Sequence, residues 1–159
     1  MKRVVAAVVV LLVLGVAMVG AQEQTDSQIF GVELGFAGGY RLADDELVGG
    51  QTFALNLSVA PNVQAGLQTV SATGGGSTDA YGMFALSYFF SPGLGMDVLV
   101  GSAGGSVAGG AGVFFNLFES GNEGTFSSVL KLKAQYLFNV AAGVADGSVL
   151  IGLSSGFGL

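Results

Sequence analysis

The stretch VLKLKAQYLF, residues 129–138, sets two lysines and a glutamine at alternate positions of an otherwise apolar segment. Successive side chains of a β-strand point to opposite faces. Lys131, Lys133 and Gln135 would therefore share one face of a strand, and their apolar neighbours would share the other. The pattern predicts an amphipathic strand whose two faces meet different surroundings.

Seven further segments repeat this alternation of large apolar residues with small or polar ones. In QIFGVELGFAGGYRL, residues 28–42, the even positions from Phe30 on are mostly large and apolar, whereas the odd positions hold Glu33, Arg41 and small residues. Turn residues such as Pro61 separate neighbouring segments. The eight predicted strands lie within residues 28–42, 52–60, 63–68, 80–90, 94–101, 107–117, 129–138 and 148–159.

The edges of several segments are less clearly marked. We place Leu94 on the apolar face of the fifth segment, whereas Phe114 and Phe118 interrupt the alternation of the sixth. Polar and glycine-rich stretches between segments are expected to form short loops. On one side of the sheet these loops are residues 43–50, 72–79, 102–106 and 140–147.

The first 21 residues have the features of a secretory signal peptide. Two basic residues precede an apolar run that ends in small residues, and we expect cleavage after Ala21. The run from Val4 to Ala21 is 18 residues long, so an uncleaved membrane anchor is the alternative. We divide the chain into a signal peptide (1–21), a short N-terminal extension (22–27) and a strand-rich domain (28–159).

Composition argues against several classes of function. Removing 21 residues from 159 leaves 138, and the loss of Lys2 and Arg3 changes the formal charge from −6 to −8. Such an acidic chain is a poor partner for nucleic acid. Cys and His are both absent, which excludes disulfides, thiolate chemistry, the usual zinc sites and imidazole catalysis. We expect no cofactor, no metal and no enzymatic activity.

The polar face of the strands indicates which side points inward. It consists mostly of Gly, Ala and Ser, and only 10% of the chain is charged. A soluble domain has about a quarter charged residues, so this face suits the interior of a narrow barrel better than a water-exposed surface. Lys131 or Lys133 facing lipid would cost about 2–4 kcal/mol near the midplane. The sequence therefore predicts an all-β, eight-stranded, antiparallel up-and-down transmembrane barrel with both lysines in the lumen.

Aromatic residues fall near the ends of the predicted strands, as in membrane barrels that place them at the two interfaces. With neighbouring strands alternating in direction, they form two girdles. One girdle contains Phe30, Tyr88, Phe90, Phe115, Phe126 and Phe157, and the other contains Tyr40, Phe53, Tyr136 and Phe138.

With these girdles, eight strands, a signal peptide and the terminal sequence GFGL, the chain resembles the small outer-membrane barrels of the OmpA/OmpX type over residues 28–159. The resemblance implies a location in the outer membrane and contact with outer-membrane lipid. It also implies that the barrel-assembly machinery reads the last strand. In that family the strand usually ends in an aromatic residue, whereas here Leu159 is last and Phe157 precedes it by two positions.

Four charged residues form the candidate site. By parity Glu33, Asp97, Lys131 and Lys133 all face inward, each near the same end of the predicted barrel. A desolvated lysine is costly without a carboxylate partner. We therefore predict that the two lysines pair with Glu33 and Asp97 and close the barrel, and that the loss of both lysines opens it.

Two classes of function fit these predictions. The first is a structural or surface-interaction barrel with a largely closed lumen, which we favour because eight strands leave an interior that side chains can fill. The alternative is a narrow pore or a lateral transporter of small, including hydrophobic, molecules. The acidic residues of ADDEL, residues 43–47, are either ligands for a hard cation or a solvated loop, and the loop is the simpler interpretation.

Overall fold

In a computed structural model of the chain, residues 30–121, 126–143 and 146–158 are described. The predicted signal peptide, the extension at 22–27 and Leu159 lie outside these ranges. The described residues form eight strands: β1 (Phe30–Arg41), β2 (Glu46–Ala60), β3 (Val63–Gly74), β4 (Ser77–Ser91), β5 (Leu94–Ala103), β6 (Ser106–Ser120), β7 (Ser127–Asn139) and β8 (Ser148–Gly158). No helix among them is long and apolar enough to cross a membrane.

Each strand pairs with the next in antiparallel fashion, and β1 also pairs with β8, so the sheet closes into a barrel. The predicted eight-stranded antiparallel barrel is confirmed. We call the end that holds Phe30 and Gly158 the lower end. Odd-numbered strands run upward from it, and even-numbered strands run back down.

Tight turns join several strands at the upper end. The β3–β4 turn contains Gly75 and Gly76 with φ of 54° and 81°, and the β5–β6 turn contains Gly104 and Gly105 with φ of 56° and 80°. Two successive positive φ angles are typical of the hairpin turns whose twist matches that of the strands. Glycine adopts this conformation without steric cost.

Several strands extend beyond the predicted segments, and three of the four upper loops are shorter than predicted, whereas the connection at 140–147 has the predicted bounds. β2 begins at Glu46 rather than near Thr52, and β3 continues to Gly74 rather than ending near Gln68. The prediction of loops at 43–50 and 72–79 is therefore wrong over most of their length. In these segments the contrast between large apolar and small residues fades, but the backbone ladder between β2 and β3 continues to the Gly49–Thr73 pair.

The outer face of the barrel carries the large apolar side chains. Phe36, Leu67 and Val100 are exposed on it, whereas the residues next to them along each strand point into the lumen. On β7 the outward Leu132 is exposed, while Lys131 and Gln135 are buried. The predicted inward and outward faces of the opening stretch are therefore confirmed.

The structure contradicts one predicted orientation and accounts for the two aromatic residues that interrupt the alternation of β6. Leu94 is buried rather than outward, next to a register shift between Phe89 and Ser91 on the neighbouring strand. Phe114 points inward and is buried. A second shift between Asn116 and Phe118 returns Phe118 to the outer face, where it is exposed. A bulge inserts one extra residue and so exchanges the two faces beyond it.

Candidate functional site in the lumen

The four predicted charged residues meet in the lower half of the lumen. Lys131 Nζ lies 2.9 Å from Glu33 Oε2, and Lys133 Nζ lies 2.9 Å from Glu33 Oε1. Lys133 Nζ also lies 3.5 Å from Asp97 Oδ2. Two lysines face two carboxylates, so the cluster is formally neutral. The structure brings all four residues together, and their role in closing the barrel stays a prediction.

The second oxygen of Asp97 is held from the neighbouring strand. Ser87 Oγ donates a hydrogen bond of 2.6 Å to Asp97 Oδ1, and both residues are buried. Ser87 and Asp97 are cross-strand partners on β4 and β5, so the register itself places the hydroxyl against the carboxylate. This bond fixes one end of the cluster to the wall opposite β1.

Small residues on the intervening strands let the charged side chains reach one another. β8 separates β1 from β7, and it places Gly156 opposite Glu33 and Gly152 opposite Lys133. β6 separates β5 from β7, and it places Gly112 between Asp97 and Gln135. A Cβ at Gly112 would lie 2.8 Å from Gln135 Cγ, which indicates that no larger side chain fits without rearrangement.

An amide pair spans the lumen one step above the charges. Gln68 Nε2 donates to Gln135 Oε1 at 3.1 Å, and Gln135 Nε2 donates to Gln68 Oε1 at 3.4 Å. β3 and β7 lie on opposite sides of an eight-stranded barrel, so these side chains cross the interior rather than follow one wall. Both are buried, and each satisfies the polar groups of the other.

Aromatic rings fill the lumen toward its lower end. The rings of Phe89 and Phe114 are 5.0 Å apart with an interplanar angle of 71°, an edge-to-face contact. Lys131 Nζ lies 5.2 Å from the centroid of the Phe114 ring, within the range of a cation–π interaction. The inward Phe114, which interrupts the sequence pattern, therefore supports the ion-pair cluster.

The upper half of the lumen is apolar. Buried residues from β2 to β8 pack there into one cluster, and Ala37 of β1 packs against it. Leu137 and Leu150 are almost completely buried in this cluster. The remaining members are Val48, Val70, Ala72, Tyr81, Met83, Ala85, Leu99, Ala103 and Ala108.

Arg41 lies above this cluster at the upper end and gathers the acidic residues of two turns. Its Nη1 lies 3.2 Å from Asp44 and 3.5 Å from Glu46, and its Nε lies 3.0 Å from Asp79. Nη1 also donates a 2.7 Å hydrogen bond to Ser77 Oγ. The Arg41 side chain is buried, whereas its carboxylate partners remain exposed by about a third to a half.

Sequence reasoning placed Arg41 on the inward face but did not assign it to a site. The signal that was available is the acidic stretch that follows Arg41 directly. Asp44 and Glu46 now have a cationic partner in Arg41, which fits a solvated acidic turn. Within the described residues, no group of three or more His, Cys, Asp or Glu is arranged to hold a metal ion.

Comparison with known proteins gives similarities of architecture. No protein-family model and no curated protein matches the chain. A solved structure from the de novo design of transmembrane β-barrels is 17% identical, with 85% of this chain and 99% of that chain covered and a TM-score of 0.49. The N-terminal β-barrel domain of Pseudomonas aeruginosa OprF is 15% identical, with coverage of 87% and 100% and a TM-score of 0.42.

Proposed function

We propose that this chain is an outer-membrane β-barrel with a closed, charge-paired lumen, and that its role is structural or lies in contacts at the membrane surface. The outer face supports a membrane location, because large apolar side chains such as Phe36, Leu67 and Ile151 are exposed around the barrel. Such an apolar exterior is stable when hydrocarbon surrounds it. The predicted signal peptide and the resemblance of the sequence to OmpA/OmpX-type barrels also support this location.

The proposal of a closed lumen is based on the contacts that cross the lumen at successive levels. An aromatic pair, the ion pairs, the Gln68–Gln135 bridge, the apolar cluster and the Arg41 network follow one another from the lower to the upper end. An eight-stranded barrel is only wide enough for side chains to fill its interior. A continuous water column would have to displace all of these contacts, which favours a structural role over a pore.

The membrane location is tested with residues 22–159 refolded in detergent. We expect a far-UV circular dichroism spectrum dominated by β-structure and a change of gel mobility on boiling, because a closed barrel resists the detergent until it is heated. A chain that is predominantly helical, or that stays monomeric and folded without detergent, would contradict the proposal.

The closed lumen is tested by planar-bilayer recording. We expect the wild-type barrel to show little or no steady conductance. A variant with Lys131→Ala and Lys133→Ala removes the cations of the lower layer but leaves the apolar cluster above it, so we now expect it to stay closed as well. Opening is expected when Leu137→Ser and Leu150→Ser are added. A stable wild-type conductance that Asp97→Asn abolishes would favour the narrow pore instead.

A further inference from the structure

The outer face of the barrel is not uniformly apolar. Apart from Leu47 near the top of β2, the outward residues on the upper halves of β2, β3 and β4 are polar or small, and we call five of them the polar wall: Gln51, Thr69, Ser71, Thr73 and Thr78. Cross-strand pairing joins these positions into one patch, because Gln51 pairs with Ser71 and Thr73 pairs with Thr78. Small residues complete the patch, with Gly49 opposite Thr73 and Gly82 opposite Thr69.

The wall shortens the apolar surface on one side of the barrel. On β3 the outward apolar residues run only from Val63 to Leu67, which at 3.3 Å per residue is about 13 Å along the strand. On β1 they run from Phe30 to Tyr40, about 33 Å along the strand and interrupted only by Gly38. A membrane strand needs about 9–11 residues to cross the hydrocarbon region. β1 meets this length with apolar side chains, and β3 does not.

Two outward residues on either side of β1 show that the polar and apolar sides of the barrel differ at the same height in the membrane. Gln51 pairs with Phe36 of β1, and Ile151 of β8 pairs with Gly38, the next outward position of β1. Gln51 and Ile151 therefore flank the same segment of β1 at similar levels. One is an amide, and the other is an exposed aliphatic side chain.

A groove of about 330 Å³ runs along the wall. Its lining combines the apolar Leu34, Phe36 and Phe53 with the polar Gln51, Thr69 and Ser71. Hydrocarbon could not hydrogen bond to the amide and hydroxyl groups, and burying such groups without a partner costs roughly 1–3 kcal/mol each. The lining fits an amphiphilic molecule whose apolar chain contacts the apolar residues and whose polar groups contact the polar residues of the groove.

Charge indicates which polar group approaches from above. Glu46 of β2 and Asp79 of β4 lie at the upper rim on inward positions behind the wall, where both contact the buried Arg41. Together with Asp44 they share the single guanidinium of Arg41, and the exposed Asp45 adds a fourth carboxylate in the same turn as Asp44. Four carboxylates and one guanidinium give this rim a formal charge of −3, which favours an ammonium group above the wall, and the hydroxyls below it offer donors to a phosphate.

We propose that the polar wall binds the headgroups of ammonium-bearing zwitterionic phospholipids, so that the bilayer is thinner beside β2–β4 than beside β8. This inference rests on the membrane location proposed above. Headgroups that lie at the level of Gln51 and Thr69 form hydrogen bonds with the amide and the hydroxyl. The acyl chains still cover Leu34 and Phe53. Mismatch of this kind is accommodated by local thinning at a modest cost per ångström.

Single-cysteine spin labels test the proposal in the full barrel, because the chain contains no native cysteine. Gln51→Cys and Ile151→Cys carry a nitroxide in phosphatidylethanolamine vesicles that contain some phosphatidylglycerol. Collision with oxygen reports hydrocarbon, and collision with a water-soluble nickel complex reports the headgroup region. We expect the ratio of nickel to oxygen collision to be several-fold higher at Gln51 than at Ile151. Thr69→Cys should resemble Gln51→Cys.

Other outcomes overturn the inference in distinguishable ways. Equal, oxygen-dominated collision at Gln51 and Ile151 would mean that acyl chains cover the wall, while the membrane location stands. Low collision with both reagents and dipolar broadening at Gln51 would mean that a second copy covers it. High nickel collision at both positions would contradict the membrane location itself.

Two controls connect the effect to its chemistry. With a label at Ala80→Cys, the variant Thr69→Val/Ser71→Val should lower nickel collision toward the value at Ile151, and gel mobility verifies that the barrel has folded. In vesicles of phosphatidylglycerol alone, which has no ammonium group, the difference between Gln51 and Ile151 should shrink. An unchanged difference in either control would contradict recognition by the polar wall.

Discussion

Below the Gln68–Gln135 pair the lumen is filled by charges and aromatic rings, and above it by aliphatic side chains. Both halves are enclosed by the same eight strands, and in both glycines lie opposite large side chains. In the lower half Gly152 faces Lys133, and in the upper half Gly39 faces Leu150 and Gly110 faces Leu137. The strands and their glycines therefore determine how much space the lumenal side chains can occupy, but they do not determine whether those side chains are charged or aliphatic.

The two halves differ in how they respond to the loss of one member. An aliphatic cluster loses free energy in proportion to the contacts and volume removed. A buried ion-pair cluster is stable only while its charges balance, because a charge left without a partner keeps its desolvation penalty. Glu33 is the critical member of the lower half, since it contacts both lysines.

The largest effect is expected at Glu33. Glu33→Gln leaves two buried lysines with the single carboxylate of Asp97, and we expect a loss of about 3–5 kcal/mol in the free energy of unfolding. Urea titration of the barrel refolded in vesicles measures this loss. The control adds Lys131→Met to Glu33→Gln, which restores neutrality and retains the Lys133–Asp97 pair. If the control is as unstable as the single variant, charge balance does not govern the lower half.

The upper half is tested at Leu137, which is fully buried. Leu137→Ala removes aliphatic contacts and leaves a cavity, with an expected loss of about 2–5 kcal/mol in the free energy of unfolding. Leu132→Ala on the outer face of the same strand is the matched control, because Leu132 is exposed and lipid fills the space that it leaves. We expect a clearly smaller loss there. Equal losses would mean that the upper cluster is loosely packed.

Much of the fold could be predicted because a period of two is a local property of the sequence. The alternation around Lys131 and Lys133 gave the faces of β7 without knowledge of its neighbours, and the same held for most strands. The error at Leu94 lies beside a register shift, and so does Phe118, which interrupts the alternation of β6. A bulge depends on the pairing of two strands, and a single strand does not reveal it.

The candidate site could be predicted where two local properties were enough: the alternation of inward and outward residues, and the position of a residue along its strand. Glu33 is separated from Lys131 by 98 residues, and parity nevertheless placed both inside near the same end. The Gln68–Gln135 bridge and the partners of Arg41 required the register of strands that are distant in sequence. Ser77 and Asp79 reach Arg41 only because β4 begins beside β3 at the upper end of the barrel.

The smallest effect is expected at Arg41, where a second ion-pair network differs from the lower one in exposure. Arg41→Met leaves Asp44, Glu46 and Asp79 without their cation, but water reaches these carboxylates and they are not stranded. We therefore expect a loss of only about 1 kcal/mol in the free energy of unfolding, in the range of exposed pairs. Salt screens exposed charges more than buried ones, so raising the ionic strength should reduce this loss and leave that of Glu33→Gln nearly unchanged. Arg41→Lys keeps the charge and should lose less than Arg41→Met. A loss at Arg41 as large and as salt-insensitive as that at Glu33 would mean that both ends of the lumen depend on buried charge balance.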